Sequence, residues 1–329
     1  MEFKCSSYLS DEMMIRLNEI KTFDCDLITK EALARKKPGF PHRELIIAAA
    51  DHNARMINEY KGNPIGLSNR REYLARLVRM LQSDQVDGVE AAPDVMEDLI
   101  ILNYLWKQAG KKAFLQNKML IGTVNRGGLK GTVWELDDMR TCFTVSRIAA
   151  LRMDGVKFML RVNPMEADSQ KTVEYCAQTI TEAAEYGLPV FIEVIYLTTE
   201  NGRYVMKMDS ESLCKVVGVA GALGCTGANK WLEVPVNQEY AIPVGATTGT
   251  VLVCPDERED ESFEVIKEYT EQIGTAYNVR GILLGRNVMF SEDDPFVLTE
   301  AIADVWHNNV SCEEAYSNAR AKADAEQSL

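Results

Sequence analysis

The sequence predicts a (β/α)8 barrel preceded by a helical extension, and three observations carry that expectation. Eight short apolar runs alternate with longer segments of helical period along the 329 residues. No stretch rich in proline, glycine and serine, no charge block and no change of composition divides the chain midway. The apolar runs also tend to end in charged or amide side chains, the habit of barrel strands that run into a functional face. Parallel strands need crossovers of a dozen or more residues, and a full set closes into a barrel or spreads into a wide doubly wound sheet. The barrel is the expectation, with residues 1–43 as the extension and 44–329 as one domain.

The strands are expected at 45–50, 88–92, 118–122, 155–161, 189–195, 231–236, 250–254 and 281–284. Between them, helical periodicity marks 70–81, 96–108, 137–152, 170–185, 210–222, 261–273 and 295–307. Side chains alternate across a strand, so Lys157, Met159 and Arg161 share one face of the fourth strand, while Val156, Phe158 and Leu160 share the other. The apolar set suits the helix layer, which turns Lys157 and Arg161 into the barrel.

Composition narrows the functional classes. Apolar residues make up 46% of the chain, enough for one large core, and the formal charge is −13 with dispersed Lys and Arg. Nucleic-acid binding is not expected, because phosphate neutralisation needs a basic stripe. Eight cysteines lack C-x-x-C spacing, which points to reduced thiols rather than a zinc site or a disulfide framework. The N-terminal residues carry no secretory signal, and no apolar run approaches the roughly 20 residues of a membrane helix. A cytoplasmic enzyme is the expectation, with self-association a weaker one.

The polar strand ends give the candidate site: Asp51 and His52 after the first strand, Glu90 in the second, Asn125 and Arg126 after the third. The fourth supplies Lys157 and Arg161, the fifth Glu193, the sixth Glu233, and the eighth leads into Gly285, Arg286 and Asn287. A lysine inside a barrel must pair with a carboxylate or lose its proton more readily. Lys157 is then either an ion-pair partner of Glu193 or Asp51, or an amine that attacks a carbonyl while those carboxylates move protons. His52, His42 and His307 are too dispersed for a shared metal, and no metal is expected, although Asp51, Glu90 and Glu193 form an alternative magnesium set. The Gly285 turn with Arg286 suits a terminal phosphate or carboxylate, or is a plain turn with Arg286 paired to Glu292 or Asp293. N-R-G-G-L-K-G lacks P-loop spacing and no G-x-G-x-x-G follows the first strand, so no nucleotide cofactor is expected. The acidic run 256–261 reads as a solvated helix start.

Taken in order, A-A-D-H-N-A-R, T-V-N-R-G-G-L, D-G-V-K-F-M-L-R, F-I-E-V, W-L-E-V-P-V and L-L-G-R-N-V-M-F resemble the class I aldolase superfamily of deoxyribose-phosphate, tagatose-bisphosphate and archaeal-type fructose-bisphosphate aldolases. The likeness spans about residues 43–305, is most specific at N-R-G-G-L and W-E-L-D-D, and lies nearest an aldolase-like branch associated with inositol catabolism. It implies a Schiff-base retro-aldol mechanism, with Asp51 and Glu193 moving protons and Lys157 matching a fourth-strand lysine. Those aldolases place the imine lysine on the sixth strand, where this chain turns Trp231 and Glu233 inward; Lys230 would face the barrel only after a one-residue register change.

The expected activity is therefore carbon-carbon cleavage of a small keto sugar, sugar acid or sugar phosphate without a cofactor. Lys157 forms the imine, Arg126 and Arg161 hold anionic groups, and Arg286 binds a terminal one. The alternatives are an imine-independent isomerase or epimerase using Asp51, Glu193 and His52, and a sugar-acid-binding barrel without activity.

Overall fold

The computed structural model describes residues 3–255 and 261–327. Eight parallel strands close the barrel: β1 (Leu45–Ala50), β2 (Gly88–Ala91), β3 (Met119–Thr123), β4 (Gly155–Val162), β5 (Val190–Glu200), β7 (Lys230–Pro235), β8 (Thr250–Cys254) and β9 (Val279–Leu284). Neighbours pair in ring order, β9 returns to β1, and β4 pairs with β5. One further strand, β6 (Arg203–Met206), stands outside the ring and pairs antiparallel with the far end of β5.

The alternation read from the sequence sets the two layers. Leu45, Ile47, Met119, Ile121, Phe191, Leu252 and Leu283 fill the lower barrel interior, with Trp231 packed against them. Val156, Phe158, Leu160, Ile192, Val194 and Leu232 face outward into the larger core beneath the helices. The apolar stem leaves the upper interior to the residues of the same parity further along each strand, and these are the polar strand ends.

The floor is closed by the chain that leads into β1. Phe40 stacks on Trp231 at 5.7 Å, and Trp231 stacks on Phe191 at 5.8 Å. Arg35 donates to the Lys118 and Arg152 carbonyls and pairs with Asp154 at 2.5 Å. The preceding helices, Cys5–Tyr8, Asp11–Phe23 and Asp26–Ala34, pack against the outer helices Arg70–Leu81 and Pro93–Gln108. No helix among the described residues is long and apolar enough to cross a membrane, and all eight cysteines are unpaired.

Two elements depart from the sequence expectation. The helix expected at 137–152 shrinks to Val145–Ala150, because Leu136 and Asp138 are drawn into buried contacts beside the barrel mouth and cannot also serve a helix. Strand β5 runs on past residue 195 to Glu200 and turns at Asn201 and Gly202, whose φ values of 50° and 73° are those of a tight two-residue hairpin. The Asn-Gly pair between two β-rich runs was the available signal. The acidic run expected as a helix start lies, apart from Glu261, outside the described residues; the helix Ser262–Thr270 begins just after it.

Candidate active site

At the top of the apolar stem, Lys157 meets carboxylates from three other strands. Its Nζ lies 2.5 Å from Glu90 Oε1 on β2, 2.8 Å from Glu233 Oε2 on β7 and 3.3 Å from Glu193 Oε2 on β5. Asp51, just past β1, is 3.9 Å away. In the pairing register Ala49 is opposite Glu90, Thr123 opposite Lys157, and Glu193 opposite Glu233, and the stagger between successive strands brings the charged groups together. The carboxylates weighed as a magnesium set thus converge on an ammonium, which supplies the counter-charge itself.

Burial and charge pull these groups apart electrically. Burial alone would lower the Lys157 pKa, but Glu233, Glu90 and Glu193 outweigh it and hold the amine well above its ordinary value. Glu90 is held well above the carboxylate range by burial and by the adjoining Glu233. Glu233 is raised too, by burial first, with Lys157 opposing and Glu193 adding to the rise. Burial raises Glu193 as well, although its side chain is 21% exposed at the cavity wall, yet Lys157, Arg126 and Arg55 overcome that cost and lower it. The cluster therefore holds one firmly charged ammonium, one firmly ionised carboxylate and a pair of carboxyls that retain protons readily.

Asp51 is committed elsewhere. Its Oδ2 accepts from Thr123 Oγ1 at 2.9 Å and pairs with Arg126. Asn125 reaches back to β4, donating to the Met159 carbonyl and accepting its N–H, both at 2.8 Å. Arg161 pairs with Glu135 at 3.0 Å and Asp138 at 3.1 Å, and donates to the Gly128 carbonyl at 3.0 Å. A Cβ on Gly128 would sit 1.8 Å from Arg161 Nη2 and 2.2 Å from the Glu135 carbonyl oxygen, so the second glycine of N-R-G-G is required by this close approach.

Above the cluster opens a cavity of about 520 Å³, lined among others by Asp51, Glu90, Lys157, Glu193, Arg126 and Arg55. His52, Gly285 and Arg286 form part of its wall, and Met206 and Met208 enter from the β5–β6 hairpin. Burial, helped by the neighbouring Arg286, pulls His52 down to about 3, so its imidazole is neutral at physiological pH. Arg286 donates to the Glu59 carbonyl at 3.3 Å.

Several expected binding residues are not on this wall. Asn125 and Arg161 are buried in the shell behind it, and Asn287 is buried without lining the cavity. Glu233 lies beneath the floor, where it reaches Lys157. The register change that would make Lys230 a catalytic lysine does not occur: its Nζ caps the end of helix Ser210–Ala222 by donating to the carbonyls of Ala220 at 3.3 Å, Gly221 at 2.8 Å and Leu223 at 2.5 Å. It faces the helices because β7 keeps the register that turns Trp231 and Glu233 inward. Sequence reasoning missed Arg55, Glu135 and Asp138. W-E-L-D-D stood out in the sequence without a structural reason, and its Glu135 and Asp138 now supply one.

Residues 43–304 match the family model described as Cgl0159-like. The chain belongs to the Cgl0159-like family. The crystal structure of Cgl0159 from Corynebacterium glutamicum (Brevibacterium flavum) is 27% identical, covers 92% of this chain and 99% of its own, and superposes with a TM-score of 0.83. A Schiff-base-forming fructose-1,6-bisphosphate aldolase is 17% identical over 85% of this chain and 100% of its own, at a TM-score of 0.58. A fructose-bisphosphate aldolase from Slackia heliotrinireducens is 13% identical over 97% of this chain and 94% of its own, at 0.61. These two aldolases share the barrel fold with this Cgl0159-like chain. No curated protein matches the sequence.

Proposed function

We propose that the chain is a carbon-carbon lyase that cleaves a small hydroxylated carbonyl compound by retro-aldol chemistry, with Lys157 as the imine-forming amine. The observation that carries this reading is one buried lysine within 3.3 Å of three carboxylates at the floor of a cavity. Imine chemistry needs an amine, an acid to expel water and a base to take the hydroxyl proton that starts bond cleavage. All three are present in the cluster.

In the free site Lys157 is an ammonium and must lose a proton before it attacks. Glu90 and Glu233 are raised in pKa and touch Nζ, so they are the acceptors. The neutral amine adds to the substrate carbonyl carbon, and the same carboxyl pair returns a proton to the departing water. Glu193, the ionised carboxylate that lines the cavity, takes the proton of the hydroxyl on the carbon beyond the bond to be broken. That carbon leaves as an aldehyde, and the bonding electron pair passes into the iminium to give an enamine. Protonation of the enamine and addition of water then free the second product and Lys157. Asp51 is assigned a positioning role here, since Arg126 and Thr123 hold its carboxylate.

The stability of the Lys157 ammonium favours one rival: proton transfer by Glu193 with Lys157 as a permanent cation, an isomerase without an imine. Borohydride trapping with dihydroxyacetone phosphate, pyruvate and a panel of keto sugar acids, followed by peptide mass mapping, separates the two. The lyase reading expects a reduced adduct on Lys157 and none in Lys157→Arg. Turnover that persists in Lys157→Arg, with no adduct in the natural chain, would transfer the assignment to the isomerase.

A further inference from the structure

We infer that Arg55, with Lys130 above it, is a carboxylate-recognising subsite, and that the substrate is accordingly a carbonyl compound bearing a carboxylate. The inference rests on the cavity being the substrate site, as proposed above, but not on imine chemistry.

Arg55 ends the short 3-10 turn Asn53–Arg55 that follows β1, is 7% exposed, and lines the cavity. A buried guanidinium is stable only when its donors are well met. Here they are met poorly. Nε reaches the Gly128 carbonyl at 3.3 Å and Nη2 reaches Glu135 at 3.4 Å, both long contacts for charged donors, and Nη1 has only the weakly accepting Met159 sulfur at 3.3 Å. The carboxylate that should neutralise it is shared, because Arg161 holds the same Glu135 oxygen at the shorter distance of 3.0 Å. The result is a cavity-facing cation whose nearest carboxylate is shared, with Asp138 and Glu193 acting on it only from beyond ion-pair distance.

Lys130 reinforces the charge. Its backbone N–H donates to the Arg55 carbonyl at 3.1 Å, which ties the two residues together, and its exposed side chain on the cavity rim forms no ion pair among the described residues.

The kind of anion follows from the donors on offer. Phosphate sites usually draw on several free backbone N–H groups. From Gly128 to Thr132, in the loop after β3, these are spent: Gly128 on Asp138, Lys130 on Arg55, Gly131 on Glu135, and Leu129 and Thr132 on loop carbonyls. Side-chain charge alone remains. The planar guanidinium can offer parallel N–H donors to the two oxygens of a carboxylate, and the ammonium on the rim adds attraction.

The test is titration calorimetry of the 329-residue protein with three probes: glycerate, glycerol 3-phosphate and 3-phosphoglycerate. Arg55→Gln is expected to weaken glycerate and 3-phosphoglycerate about tenfold or more and to leave glycerol 3-phosphate unchanged. Lys130→Ala, which leaves the buried network intact, is expected to weaken the same two by a few fold. Failure of the natural protein to bind glycerate, or carboxylate binding unaltered in both variants, would overturn the subsite. Equal loss for glycerol 3-phosphate would make it a phosphate site instead. Borohydride trapping is independent of these outcomes, so failure of the subsite and failure of the lyase reading can be told apart.

Discussion

Lys157 Nζ and Glu90 Oε1 lie 2.5 Å apart in the barrel interior, where Lys157 is 2% exposed and Glu90 fully buried. Glu233, equally buried, reaches the same nitrogen at 2.8 Å. Neither charge could be kept there alone, so the lysine and the carboxyl pair exist in the fold only together.

Lys157→Met tests that dependence. The variant leaves Glu90, Glu193 and Glu233 without their cation, and a loss on the order of 3–5 kcal/mol is expected near neutral pH. The loss should shrink as pH falls, because protonation removes the stranded charges. Urea melts at about pH 7 and about pH 5 provide the check; a deficit independent of pH would contradict the account.

Glu233→Gln keeps shape and volume but removes a proton acceptor. A fall in kcat of about 10²-fold is expected, within the usual range for acid-base groups. Glu233 is raised above its ordinary value and, in the proposed mechanism, must be ionised to accept the Lys157 proton, so kcat/KM of the natural protein should rise with pH through that elevated range. The variant should shift this limb. Superimposable profiles for the two proteins would rule out the role.

His52 makes stability depend on pH in a defined direction. Burial and Arg286 lower its pKa from 6.5 to about 3, so between those values the unfolded chain binds a proton that the native chain refuses. Stability from this group is therefore present above pH 6.5 and lost as pH falls toward about 3. The size is a few kcal/mol, at roughly 1.4 kcal/mol per pKa unit. His52→Gln should show a shallower acid slope in chemical unfolding; parallel slopes would mean that the imidazole is not responsible.

Gly128→Ala places a methyl group on Arg161 and on the Glu135 carbonyl. Backbone and guanidinium must both shift, and a destabilisation of about 1–3 kcal/mol is expected from overpacking. Because Gly128 also accepts from Arg55, binding of glycerate should weaken alongside stability. A variant with unchanged Tm and unchanged binding would show that the loop yields more freely than this packing allows.

The barrel itself was legible in the chain. Strands 45–50 and 250–254 and helices 70–81 and 210–222 fall where periodicity put them, since apolar alternation is a local property. The same alternation turned Lys157 and Glu233 inward and Lys230 outward, because a side chain's face is fixed by parity along its own strand. What parity does not fix is which inward groups meet. The sequence pairs Lys157 with Glu193 or Asp51, whereas the closest partners are Glu90 and Glu233, because the stagger between strands β2, β4 and β7 sets the level of each carboxylate.

Arg55, Glu135 and Asp138 were beyond reach for a related reason. They sit in loops, where no period predicts direction, and their contacts join residues far apart in the chain. The sequence alone thus determined the layers, the inward faces and the end of the barrel that carries the polar groups. Tertiary structure decided the partners, the direction in which each pKa moves and which cations line the cavity, because distance and desolvation exist only after the ring has closed.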